Sequence, residues 1–105
     1  MFDREIIKKV IYDNVPADLI EQVIIFGSRA RGEETEDSDT DICIIYKDGL
    51  EWEDMGEYTI ALDKIFVREY RMPTDIIMKS AYKYNRYKGV VGCLEYNIAK
   101  EGIKL

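Results

Sequence analysis

At 105 residues the chain has room for one domain, residues 1–105, and not for two, and a hydrophobic fraction of 47% is globular and argues against disorder. A net charge of −6 disfavours broad, sequence-independent nucleic-acid binding, which draws on many Lys and Arg contacts. With no histidine, and with Cys43 and Cys93 far apart, neither a thiol–histidine pair nor a usual zinc site can be assembled.

Both thiols therefore read as structural, Cys43 inside a strand and Cys93 on a helix. No apolar run approaches the roughly 18 residues of a membrane span. The start, Met1-Phe2-Asp3-Arg4-Glu5, lacks the basic region and apolar core of a signal peptide, so a cytoplasmic location is the default expectation.

Asp3 can cap a first helix on which Ile6, Ile7, Val10 and Ile11 recur at helical spacing. Pro16 ends or breaks it, and Ala17 to Ile20 adds a short turn. Gln22 to Phe26 is β-rich and closes at Gly27, which makes it the first strand. Ser28 suits the N-cap of a brief helix through Arg31, stopped by Gly32. Glu33 to Asp37 is acidic, unpatterned loop. Thr40 to Lys47 is the second strand, followed by the turn signal Asp48-Gly49.

From Trp52 to Tyr70 the residues Trp52, Met55, Tyr58, Leu62, Ile65 and Phe66 share one helical face, read as core. Pro73 ends that helix. Thr74 to Met78 forms a third strand, and Lys79 to Lys88 is either loop or weak helix. Val90 to Lys100 gives a last helix on Val91, Leu94, Ile98 and Ala99, with Gly102 as its stop. The expected order is αβαβαβα, an α/β (α+β) fold. The long helix between strands two and three is the usual crossover of a parallel pair.

That crossover gives the acidic residues their meaning. Asp39 and Asp41, two apart at the start of strand two, present their carboxylates to the same side. Asp75 opens strand three, and parallel strands start at the same sheet edge, so a third carboxylate arrives beside them. Two unit charges about 5 Å apart repel by roughly 3 kcal/mol at an effective dielectric near 20. Three such repulsions approach ~10 kcal/mol, the scale of a small domain's whole stability. A proton or a divalent cation must relieve them. An all-oxygen donor set favours Mg²⁺ or Mn²⁺ over zinc. An EF-hand is excluded, because Ile42 stands where its glycine belongs and Asp48 where its final glutamate belongs.

Next to these carboxylates, Gly27 permits close backbone approach, and the free N–H groups opening the brief helix make an anion site. Ser28 can donate its hydroxyl to a β- or γ-phosphate, and Arg29 and Arg31 stand near enough to neutralise more of the phosphate charge. A phosphate-holding turn beside a divalent-metal site is the equipment of nucleotidyl transfer.

The pattern G-S-x10-D-x-D, here Gly27-Ser28 through Asp39 and Asp41, resembles the signature of the DNA polymerase β-like nucleotidyltransferase superfamily. The fuller G-S-R-A-R-G…S-D-x-D form resembles its minimal, MNT-type branch. Thr74-Asp75-Ile76-Ile77 is similar to the third-carboxylate strand, and Ile98 to Ile103 to that branch's ending.

The resemblance implies a small mixed sheet flanked by helices, two Mg²⁺ ions held by Asp39 and Asp41, and Asp75 as ligand of the catalytic ion and candidate base. It implies that Gly27 and Ser28, joined by Arg29, Arg31 and Ser38, contact the phosphates of ATP. It also implies a role as antitoxin to a HEPN-domain toxin, some relatives transferring AMP from ATP to a tyrosine of that toxin. A different class of function is a binding module that neutralises its partner by stoichiometric contact alone. A third, RNA contact through the tyrosines and cations of Tyr82 to Lys88, is outweighed by tyrosines packing on the sheet or a partner.

Overall fold

In the computed structural model the described residues are 4–33, 35 and 38–105, with Trp52 described by its backbone alone. The Asp3 cap, most of the Glu33 to Asp37 loop and the place of Trp52 in the apolar stripe lie outside them.

Helix α1 runs Arg4–Asn14, and a 3₁₀ turn at Ala17–Leu19 follows Pro16. Strand β1 is Ile20–Phe26, helix α2 is Ser28–Arg31 and strand β2 is Thr40–Tyr46. Helix α3 spans Trp52–Tyr70 and β3 spans Thr74–Ser80. Helices α4, Ala81–Tyr87, and α5, Leu94–Glu101, lead to a two-residue strand β4, Ile103–Lys104.

The four strands lie in the order β3-β2-β1-β4. β1 is antiparallel to β2 and to β4, while β2 and β3 are parallel, as the α3 crossover requires. The sheet is thus mixed and flanked by helices, as expected.

Alternation along the strands divides the core into two layers. Val23, Ile25, Ile42, Ile44 and Ile76 pack with α1 (Ile7, Val10, Ile11) and with Leu62 and Phe66 of α3. Ile24, Cys43 and Ile45 pack on the opposite face with Ala81, Tyr84 and Ile98 of α4 and α5. Central β2 is buried on both faces, which explains its unbroken apolar run. Met55, Leu62 and Phe66 of the expected α3 stripe are buried, and Tyr58 and Ile65 pack against the core.

Some element boundaries differ from expectation: β1 starts at Ile20, expected in the turn, and β2 stops at Tyr46, one residue short of Lys47. Lys79 belongs to β3, which runs on to Ser80, and the rest of the undecided segment is helical. The Ser80 side chain accepts the Lys83 N–H at 3.2 Å and caps α4. Ser80→Ala should therefore cost about 1 kcal/mol, read as a lower urea midpoint at unchanged m.

The last helix begins at Leu94, not Val90. Val91 is 79% exposed in the preceding turns, and Cys93 is the N-cap rather than a helical residue. As expected of the alternating segment, Tyr84 packs on the sheet and is buried, while Tyr82 is 64% exposed. β4 carries too little sequence to be read as a strand; it forms because Gly102, where a Cβ would strike Ile24 and the Ile98 carbonyl, lets the chain turn closely onto β1.

Candidate active site

Asp41 is the centre of the acidic group because of where its strand sits. On one side it registers with Phe26, the last residue of β1, and on the other with Asp75 of β3. Neighbouring strands are about 4.8 Å apart, so the Gly27 turn, Asp41 and Asp75 meet at one end of the sheet. Asp39 enters two residues before Asp41. Asp41 is half-buried, whereas Asp39 and Asp75 are exposed.

Burial first, then the charges of Asp75 and Asp39, raise the Asp41 carboxyl above its usual range, while Arg31 pulls it back. As the side chains are placed, no three carboxylate or thiol groups among the described residues stand close enough to hold an ion together. Asp39 and Asp75 are exposed, so packing does not lock their side chains.

Gly27 has φ 75° and ψ −155°, a region essentially confined to glycine. A Cβ there would also collide with the Asp41 carboxylate. The turn and the carboxylate are in direct contact, and only glycine permits it. Gly27, not Ser28, is the N-cap of α2; Ser28 is the first helical residue, half-buried. The reason is that glycine's φ makes the entry to the helix, so no side-chain cap is needed. Gly32 ends α2 in the left-handed region, as expected.

The arginines are less available than their spacing implies. Arg29 Nη2 donates to the Ser38 carbonyl at 2.7 Å, bracing the segment that leads into Asp39. Its Nε is buried without a hydrogen-bond partner among the described residues, an orphaned donor that calls for an acceptor. Arg31 pairs with Glu33 and Glu101, both at 3.1 Å. Ser38 turns inward on its own loop, its hydroxyl accepting the Thr35 N–H at 2.9 Å. Glu101 and Thr35 were not among the expected site residues. Glu101 lies 70 residues from Arg31, and no local pattern links them.

The donor set is all oxygen and fits a hard divalent cation, which Asp39, Asp41 and Asp75 would hold. Cys43 is no competitor: burial raises its thiol to about 12, keeping it protonated.

The family model Polymerase beta, Nucleotidyltransferase matches residues 5–105. No curated protein matches the chain in sequence. A crystal structure of a mutant of the toxin–antitoxin MntA-HpeT is similar at TM-score 0.65 and 15% identity, covering 98% of this chain and 71% of that one. A toxin–antitoxin crystallised with AMP-PNP is similar at TM-score 0.63 and 19% identity over 98% and 72%. A nucleotidyltransferase-like structure from Sulfolobus solfataricus follows at TM-score 0.55 and 25% identity over 95% and 72%. At these identities the likenesses concern the fold.

Proposed function

Since the chain belongs to the polymerase beta nucleotidyltransferase family, we propose that it is a Mg²⁺-dependent adenylyltransferase that moves AMP from ATP to a hydroxyl, a tyrosine, of a HEPN-type toxin, and so acts as its antitoxin. The observation that carries the reading is the contact of Gly27 with Asp41, flanked in register by Asp75. It puts a backbone turn suited to phosphate against the acidic group that a metal–triphosphate needs. Folds similar to this one occur in toxin–antitoxin structures, one of them with AMP-PNP, which supports both the nucleotide and the partner.

In this reading the acceptor oxygen attacks the α-phosphorus, the bond from that phosphorus to the oxygen bridging toward the β-phosphate breaks, and pyrophosphate leaves. The hydroxyl proton passes to Asp75, exposed at the sheet edge where an acceptor can reach it. Gly27 and Ser28 hold the leaving phosphates with backbone N–H groups and the Ser28 hydroxyl. Arg29 braces the approach to Asp39 while its buried Nε offers a further donor. Magnesium, when bound, supplies charge neutralisation of the phosphates and a lowered pKa for the attacking hydroxyl.

The test is incubation with the purified partner, ATP and Mg²⁺, followed by intact mass. A gain of one or more AMP units, absent with EDTA, supports transfer. Full inhibition of the toxin at unchanged mass identifies a stoichiometric binder instead. No helix among the described residues is long and apolar enough to cross a membrane, which fits a partner met in solution.

A further inference from the structure

One edge of the sheet is open. In the order β3-β2-β1-β4, β3 has no strand on its outer side among the described residues. The Thr40 N–H donates to the Pro73 carbonyl at 3.0 Å, and Thr40 registers with Thr74. In a parallel ladder this phase turns residues 73, 75, 77 and 79 toward β2. It leaves the N–H and C=O groups of Thr74, Ile76 and Met78 pointing outward, a template for one more strand.

Beside that edge lies a groove of about 650 Å³ between β3 and α3. Its apolar lining includes Met55, Ile60, Ile76 and Met78, and Ile60 is 60% exposed, so its side chain is open to an occupant of the groove. The charged groups on the α3 wall are Glu53 and Glu57, both exposed. Lys79, the cation among the lining residues, stands 3.5 Å from the buried Glu95 on the other face. The groove's free charge is thus negative, and a basic, apolar occupant complements it.

The groove also has a direction. α3 runs against β3: Asp63 accepts the Thr74 hydroxyl at 2.8 Å at the Asp75 end, while Glu53 and Met55 line the groove with Met78 and Lys79. From Met78 to Asp75 is three residues, roughly 10 Å of strand.

We infer that this groove docks an extended segment of the protein acceptor, which adds as a strand to the free edge of β3, buries alternate apolar side chains against Ile60 and Met78, and sets a basic residue against Glu53 and Glu57. The same strand then leads the segment to Asp75, delivering its hydroxyl to the carboxylates. This rests on the reading of the chain as a transferase acting on a protein. The mode is strand addition to a sheet edge, with main-chain bonds giving affinity and alternate side chains giving selectivity.

The probe is a phage-displayed library of random twelve-residue peptides panned on the full chain. Recovered peptides should alternate apolar residues with Lys or Arg. Their synthetic forms should bind at least tenfold more weakly to Ile60→Arg, and to Glu53→Lys with Glu57→Lys, surface changes that the fold tolerates. On peptide addition the amides of Ile76 and Met78 should exchange more slowly.

The inference is overturned if no recovered peptide loses affinity in Ile60→Arg, or if bound peptides leave those two amides unprotected. It is also overturned if sedimentation shows a dimer of this chain that Ile60→Arg dissolves, which would assign the groove to a second copy. A tyrosine-bearing peptide that binds in this way yet gains no AMP with ATP and Mg²⁺ counts against the transferase reading and for the groove.

Discussion

Replacing Asp39 and Asp41 together with Asn should reduce AMP transfer by roughly 10³-fold or more, the scale of losing a preorganised charge-stabilising group, and leave the protein at least as stable as before. The two halves of this result come from one fact. Asp41 is held half-buried between Phe26 and Asp75, and its carboxyl is raised by burial and by the charges of Asp75 and Asp39. The ionised form is therefore disfavoured by folding, and a neutral isostere removes a cost rather than a support.

The sign in pH follows. In metal-free buffer the folded protein binds the Asp41 proton more tightly than the unfolded chain, so this carboxyl's stabilising contribution is complete below its ordinary 3.8 and is lost as pH rises through the raised folded value. The Asn variant should lack that dependence. Mg²⁺ at tenfold its Kd should stabilise the wild type by roughly 1.4 kcal/mol and the variant hardly at all, measured as Tm by calorimetry. A variant that transfers AMP at the wild-type rate, or a wild type indifferent to Mg²⁺, would remove these carboxylates from the chemistry.

Gly27→Ala should be the most damaging single methyl group in the chain. The backbone at φ 75°, ψ −155° costs a residue with a Cβ about 1–3 kcal/mol, and the added carbon meets the Asp41 carboxylate. A Tm drop of roughly 10 °C is expected for a domain of this size, with transfer lost because the turn and Asp41 can no longer share their space. The two causes separate in a cycle. Adding Asp41→Ala to Gly27→Ala should relieve the collision but not the backbone strain, a coupling of about 0.5–3 kcal/mol by urea melts. Strict additivity would mean that the turn has moved away from the strand.

The residues that place the acidic group were readable because their signals are local. Two apolar runs flanking Gly27 to Asp41, and a long amphipathic segment before Asp75, specify two strands and a crossover. The parallel rule then brings Asp75 to Asp41, which is the register found. Ser80 shows the limit of such reading. Its capping bond to Lys83 fixes where β3 stops and α4 starts, but a tyrosine- and lysine-rich run gives no apolar period to announce it. Likewise Val90 and Val91 fall within the expected helix, yet the turns before Cys93 leave them exposed, because Gly92 takes a positive φ that no helix continues through.

The sequence by itself determined the chemistry on offer: carboxylate oxygens without histidine or usable thiol, a glycine turn, and the order of elements that sets them at one sheet end. What only the tertiary structure decided is how the surrounding cations are used. Arg29 and Arg31 read as phosphate ligands from spacing alone, but one grips the Ser38 carbonyl and the other bridges to Glu101. The three-dimensional arrangement also left β3 without an outer neighbour. Both outcomes have the same physical origin. Ion pairs and strand edges are satisfied by whatever the fold brings near, and seventy residues of intervening chain carry no local record of it.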